Sequence, residues 1–245
     1  MVKLGIIQTT SYKSNEPAIE KMVEILTKLG KRETEIICLP EQWLADNLIS
    51  NLELTFREFI KIAKEYSMTI IPGAFYGKRL GKYVIYSPVI GPNGEIIGEQ
   101  RKIHPFDYEN KLVQPGSKTV VFKTSCKFGI IICYDMVFAE VARSLTLKGA
   151  EVLFSPSRIV KTGIHPWHLY VTVRALENRI PILAANIESK RFGGKSTIVD
   201  LYEKDGIVIP RRVELNGQSA KSVDFDLSKY KEIRRKRFVD FRKFS

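Results

Sequence analysis

The chain has 245 residues, 44% of them hydrophobic, and a formal net charge of +12. That size can bury a full core, and no apolar run approaches the roughly 20 residues of a membrane helix, so no membrane partner is expected. Three cysteines (Cys38, Cys126, Cys133) and three histidines (His104, His165, His168) lack CxxC or other metal-ligand spacing; the expectation is no disulfide framework, no metal and a reducing, cytoplasmic setting.

Taken in chain order, MVKLGIIQTT has neither the h-region nor the cleavage pattern of a signal peptide and reads as a first strand over 4–8. A helical pattern at 17–29, a strand at 35–39, a helix at 54–66 and a strand at 69–74 follow. The next two strands, 82–91 and 95–100, flank the turn signal GPNG at 91–94 and predict a hairpin. A strand over 128–133 precedes a helix over 138–147. There Phe138, Val141, Ala142 and Leu145 form one apolar stripe, and Gly149 is a C-terminal stop. A strand at 151–154, a helix at 166–179 and a strand at 182–185 complete the pattern.

The last stretch, 227–245, carries eight Lys/Arg against two acids, with Phe238, Phe241 and Phe244 at three-residue spacing. It reads as a basic terminal helix with a docked aromatic edge and a solvated charged face. Its charge also raises a competing reading, a nucleic-acid-binding module whose affinity falls steeply with salt. No linker, repeat or low-complexity run divides the chain, so one domain over 1–245 is expected. Strand–helix alternation predicts an α/β fold with helices on the outer faces of a buried sheet system.

Three polar residues sit at strand ends, where loops position chemistry in α/β proteins: Glu41, Lys102 and Cys133. A lysine cation favours a thiolate, a carboxylate can take the thiol proton and return it to a leaving nitrogen, and lysine can steady an oxyanion. Together they suffice for acyl transfer without histidine. Singly each has an ordinary explanation, and a cysteine after an apolar run is more often core packing.

Their surroundings resemble the nitrilase superfamily of carbon–nitrogen hydrolases over nearly the whole chain. LPEQWL at 39–44 resembles the segment around the family's catalytic Glu, GEQRKIHPFD at 98–107 its Lys segment, and GIIICYDMVFAEVARSLTLKGAEVLFSPS at 129–157 its nucleophile segment. WHLYVTVRALENRIPILAAN at 167–186 and GGKSTIVD at 193–200 resemble two supporting segments. This resemblance implies catalytic roles for Glu41, Lys102 and Cys133, and an auxiliary role for Glu109 in ENKLVQPG (109–116). It also implies an oxyanion donor in the Tyr134 backbone N–H. Ser157 and Arg158 become candidates for the substrate pocket, Trp167 for packing, and Asp135 for tying down the turn after the nucleophile or a helix start.

The implied fold is an α-β-β-α sandwich of the nitrilase type, with two mixed sheets flanked by helices, pairing into a homodimer or higher homo-oligomer without metal or organic cofactor. The implied substrate is a small-molecule amide, hydrolysed through a thioester acyl-enzyme. Nitriles, carbamoyl compounds and acyl transfer are the alternatives within the family. Departures from the family pattern are Val137 in place of an Arg, Ala139 in place of a Pro, and Asp200 and Tyr202 in place of a Pro and a Gly. Val137 weakens the expectation of a carboxylate-bearing substrate.

Overall fold

A computed structural model describes residues 1–239. The chain opens with β1 (Val2–Thr10), crosses through α1 (Asn15–Gly30) and returns as β2 (Ile36–Cys38), parallel to β1. A single turn, α2 (Leu52–Thr55), and α3 (Arg57–Tyr66) lead to β3 (Thr69–Ile71), parallel to β2. Next, β4 (Phe75–Arg79), β5 (Lys82–Ile90) and β6 (Ile96–Arg101) form an antiparallel meander joined to β3 through β5. The second half runs through β7 (Val121–Lys123), β8 (Lys127–Ile130), α4 (Ala139–Leu147), β9 (Val152–Pro156), α5 (Ile164–Asn178) and β10 (Ile182–Ala185). β11 (Ile187–Glu188) extends the first sheet, β12 (Thr197–Lys204) and β13 (Ile207–Glu214) form a hairpin on the second, and β14 (Ser219–Phe225) pairs antiparallel with β1. The last described element is α6 (Ser228–Val239).

Two mixed sheets result, one built on β11-β1-β2-β3-β5-β4 with β14 and β6 attached, the other ordered β13-β12-β10-β9-β8-β7. Period-two alternation in the first sheet separates its faces. Leu4, Ile6, Ile36, Cys38 and Ile71 point into the core shared with Phe128, Ile130 and Phe154 of the second sheet. Their neighbours Ile7, Ile37, Leu39 and Ile70 face the opposite way, onto Ala18, Met22 and Leu26 of α1 and Phe59, Ile62 and Ala63 of α3. α4 and α5 cover the second sheet, giving the α-β-β-α layering. Among the described residues no helix is long and apolar enough to cross a membrane.

The expected elements differ from the observed ones where side chains override local pattern. The helix expected over 54–66 breaks at Phe56, which turns wholly inward and packs its ring 5.2 Å from Phe59 and 5.3 Å from Phe75. The strand expected over 69–74 stops at Ile71. Pro72 has no N–H for the ladder, and its carbonyl accepts the Trp43 indole N–H at 2.7 Å. Gly149 does terminate α4: its N–H bonds Thr146 O and the next N–H, of Ala150, bonds Leu145 O, a left-handed cap at φ +94°.

α6 is anchored despite its charge. Tyr230 is fully buried and donates its hydroxyl to Asp200, one of the positions that departs from the family pattern. Arg234 reaches the carbonyls of Arg179 and Ala150, both at 3.2 Å. The Phe238 ring lies under the Arg143 guanidinium at 5.1 Å, while Phe241 and Phe244 lie outside the described residues.

Candidate active site

Glu41 leaves β2 on the Pro40 turn and re-pairs as a single bridge with Ala74. Its backbone N–H bonds the carbonyl of Ser157, at the end of β9 in the facing sheet, at 3.2 Å. Gly73 makes this approach possible. At φ +117° it sits so close that a Cβ there would stand 2.2 Å from Pro40 O. Glu41 is thus 2% exposed, its backbone held from both sheets.

Lys102 follows β6, its N–H bonded to Ile85 O and its carbonyl accepting from Gly116. Its ammonium lies 2.9 Å from Glu41 Oε1 and 2.8 Å from Glu109 Oε2, with all three side chains buried. Burial works against the lysine charge, but Glu41, Cys133 and Glu109 outweigh it and hold the ammonium above its ordinary value. Glu109 also accepts the Phe106 N–H at 2.7 Å, so one carboxylate fixes the cation and the loop beside it.

Cys133 stands past the tip of β8. Ile131 still bonds Phe154 O, but the strand ends at Ile130 and Cys133 opens a 3-10 turn (Cys133–Val137) at φ +47°. This left-handed conformation is costly for a non-glycine residue and turns the thiol toward the first sheet. The thiol shares one small cavity with the Glu41 carboxylate, the Lys102 ammonium and Arg158. Burial pushes the Cys133 thiol up, and the Glu41 charge adds to that. Lys102 and the Arg158 N–H pull the other way without reversing it. A raised pKa favours a protonated thiol at rest, and the Glu41 carboxylate lines the same cavity as the acceptor for its proton.

Asp135 closes the arrangement. Its carboxylate accepts the N–H groups of His104 at 2.7 Å and Ile103 at 3.2 Å, and lies 2.9 Å from His104 Nδ1. Burial raises its pKa while these donors oppose the rise.

Two cavities open on Cys133. The smaller, about 90 Å³, is polar and lined by Glu41, Gln42, Lys102, Glu109, Arg158 and Arg191, among others. The larger, about 320 Å³, is walled by side chains such as Met136, Val137, Ile159, Pro166 and Trp167. Arg158 belongs to both. Its guanidinium donates to Gln42 Oε1 at 2.5 Å and lies 4.4 Å from the Phe192 ring.

Glu41, Lys102, Cys133, Glu109, Tyr134 and Arg158 thus converge as expected from the sequence, with the Tyr134 ring edge-on to Phe106 at 5.0 Å. Ser157 lines neither cavity. It is fully buried, its hydroxyl 3.1 Å from that of Ser155, and its carbonyl supports Glu41. Trp167, expected to pack, is 4% exposed and also forms cavity wall. Sequence reasoning passed over Gln42, Phe106, Arg191 and Phe192. Adjacency to Glu41 could have pointed to Gln42 and the Lys segment to Phe106; nothing local marks Arg191 or Phe192. His168 donates from Nε2 to the Lys195 carbonyl at 2.8 Å, and among the described residues no group of three or more His, Cys, Asp or Glu is placed to hold a metal.

The sequence pattern of the family described as carbon-nitrogen hydrolase matches residues 3–235. An omega-amidase of Xenopus tropicalis is 32% identical over 256 residues, 95% of this chain and 91% of that protein. A deaminated glutathione amidase of Dictyostelium discoideum is 30% identical over 236 residues, 82% of this chain and 81% of that one. A solved carbon-nitrogen hydrolase from Helicobacter pylori has the same fold, with a TM-score of 0.85 at 24% identity over 98% of this chain and 95% of its own.

Proposed function

This chain belongs to the carbon–nitrogen hydrolase family, enzymes of non-peptide carbon–nitrogen bonds, and on that premise we propose that it cleaves a small amide at Cys133 with release of ammonia. The observation that carries this reading is that Cys133, Glu41 and Lys102 line one small cavity while the Glu41 carboxylate holds the Lys102 ammonium at 2.9 Å.

Glu41 takes the thiol proton as sulfur attacks the amide carbonyl carbon. The carbonyl electron pair moves to oxygen, where the Tyr134 N–H and Lys102 ammonium face the growing charge. Glu41 then protonates the nitrogen, the carbon–nitrogen bond breaks, and ammonia leaves a thioester on Cys133. Glu41 next deprotonates water, which attacks the thioester; the carboxylic acid departs and the thiol regains its proton. Glu109 orients Lys102 throughout. The sequence similarity to proteins named omega-amidase and deaminated glutathione amidase supports an amide as substrate.

Assembly and setting follow the same reading. Leu169, Tyr170 and Val173 stand exposed along α5 and suit pairing of two copies, and three unpaired thiols suit a reducing compartment. The direct test is ammonia release from a panel of short amides by the wild type and by Cys133→Ala. Loss of release in a variant that melts like the wild type supports the proposal; retained release overturns it.

A further inference from the structure

The chain passes from the second sheet to the first between β10 and β11, and Asn186 is the one residue of that crossing. It is fully buried, and each end of its carboxamide serves a different loop. Oδ1 accepts the N–H of Ile159 at 2.8 Å, and Nδ2 donates to the Gly194 carbonyl at 2.6 Å. Its backbone N–H bonds Ser196 Oγ at 2.8 Å, and the Ser196 N–H bonds Gln8 Oε1 at 2.7 Å, so the carboxamide stands on a frame that reaches β1. One residue earlier, the Ala185 carbonyl accepts the Ser157 N–H at 2.8 Å. Arg158 is therefore held on both sides, through Ser157 and through Ile159.

The two loops tethered by Asn186 also pair with each other. Val160 and Phe192 form an antiparallel bridge, the Gly193 N–H bonds Ile159 O at 3.0 Å, and the Lys161 N–H bonds Arg191 O at 3.1 Å. Together they wall the site. Arg158 and Val160 line both cavities that open on Cys133, Ile159 the larger, and Arg191 and Phe192 the smaller. Asn186 itself lines neither.

We propose that Asn186 is a positioning residue that fixes the partition between the two cavities, and through it the seat of the substrate's acyl chain. This rests on the reading of Cys133 as nucleophile. Loop residues outside a ladder keep their place only through such supporting bonds, and freeing either end of a buried carboxamide leaves an N–H or a carbonyl unpaired in the wall.

Asn186→Asp is isosteric and tests this. Its ionised carboxylate still accepts from Ile159 but turns an oxygen toward the Gly194 carbonyl, whereas the protonated carboxyl donates there and restores both bonds. Ammonia release from acetamide, too short to reach along the wall, and from hexanamide gives kcat and KM for each. At about pH 9 the hexanamide KM is expected to rise about ten-fold, with kcat and the acetamide KM changed by under about three-fold. Lowering the pH to about 5 returns the hexanamide KM toward that of the wild type at the same pH. Asn186→Ala, which loses both bonds, raises it at every pH. Assays run below the melting transition of each protein, and Asn186→Asp alone decides if Asn186→Ala does not fold. An unchanged hexanamide KM, or an equal rise on both amides with no return at low pH, overturns the inference while leaving the Cys133 reading intact. Failure of the wild type on every amide sinks that reading and this inference with it.

Discussion

The carboxylate of Asp135 accepts the backbone N–H of His104 at 2.7 Å, and this bond joins the turn carrying Cys133 to the segment carrying Lys102. Cys133 lies two residues before the acceptor and Lys102 two residues before the donor. Asp135→Ala leaves the N–H groups of Ile103 and His104 without that acceptor, and about 2–4 kcal/mol of stability is expected to go. Denaturant titration checks this. Activity measured well below the melting transition should fall as well, since the thiol and the ammonium lose their common frame; a variant with wild-type turnover contradicts the coupling.

Glu41→Gln separates base catalysis from thiol acidity. Turnover is expected to fall by about 10²–10⁴-fold, because the carboxylate that takes the thiol proton is gone. Burial and the Glu41 charge both raise the Cys133 pKa, so removing the charge moves it down, toward the ordinary thiol value of about 8.5. The pH profile of alkylation at Cys133 reads this directly, and a midpoint that stays put or rises contradicts the role given to Glu41.

Glu109→Ala tests whether the second carboxylate positions the cation. Lys102 keeps Glu41 but loses its 2.8 Å partner, and the Phe106 N–H loses its acceptor. An activity loss of about 10–10²-fold, mostly in kcat, is expected from a misplaced oxyanion cation. Confinement of the effect to KM assigns Glu109 to substrate binding instead.

Alkaline pH is expected to destabilise the protein. Burial raises the pKa of Cys38 and Cys133, that of Cys126 to about 12, and that of Tyr76 to about 12. The folded state therefore retains protons that the unfolded thiols release above about pH 8.5. Stability is fully present below that pH and declines as pH climbs toward 12, by up to about 1.4 kcal/mol per thiol per pH unit. Melting temperatures at constant ionic strength from pH 7 to 11 should fall with increasing slope; a flat or rising series contradicts this.

The alternating strands and the Glu41, Lys102 and Cys133 segments were legible because each is a local pattern of a few adjacent residues. Asp135 was readable as a tie for the turn after Cys133 or for a helix start, and its bonds to Ile103 and His104 select the first. What was not readable depends on residues brought together from afar. Phe56 breaks a helix because Phe75 lies across from it, and Ser157 is sealed inside because its carbonyl is needed by Glu41. The left-handed φ of Cys133 moves it off the strand and into a turn, which no run of isoleucines announces. Arg158 could be named as a pocket candidate, but its place astride two cavities depends on Gln42 and Phe192, 116 and 34 positions away.

The central claim is that sulfur of Cys133 carries the acyl group during turnover. Mass spectrometry of acid-quenched reactions, on the intact chain and then on its peptides, measures this with a single amide substrate. The expected result is one adduct of acyl mass on Cys133, absent from Cys133→Ala, with Cys38 and Cys126 unmodified. Steady ammonia release with no adduct at Cys133, or with the adduct on Cys38 or Cys126, contradicts the account.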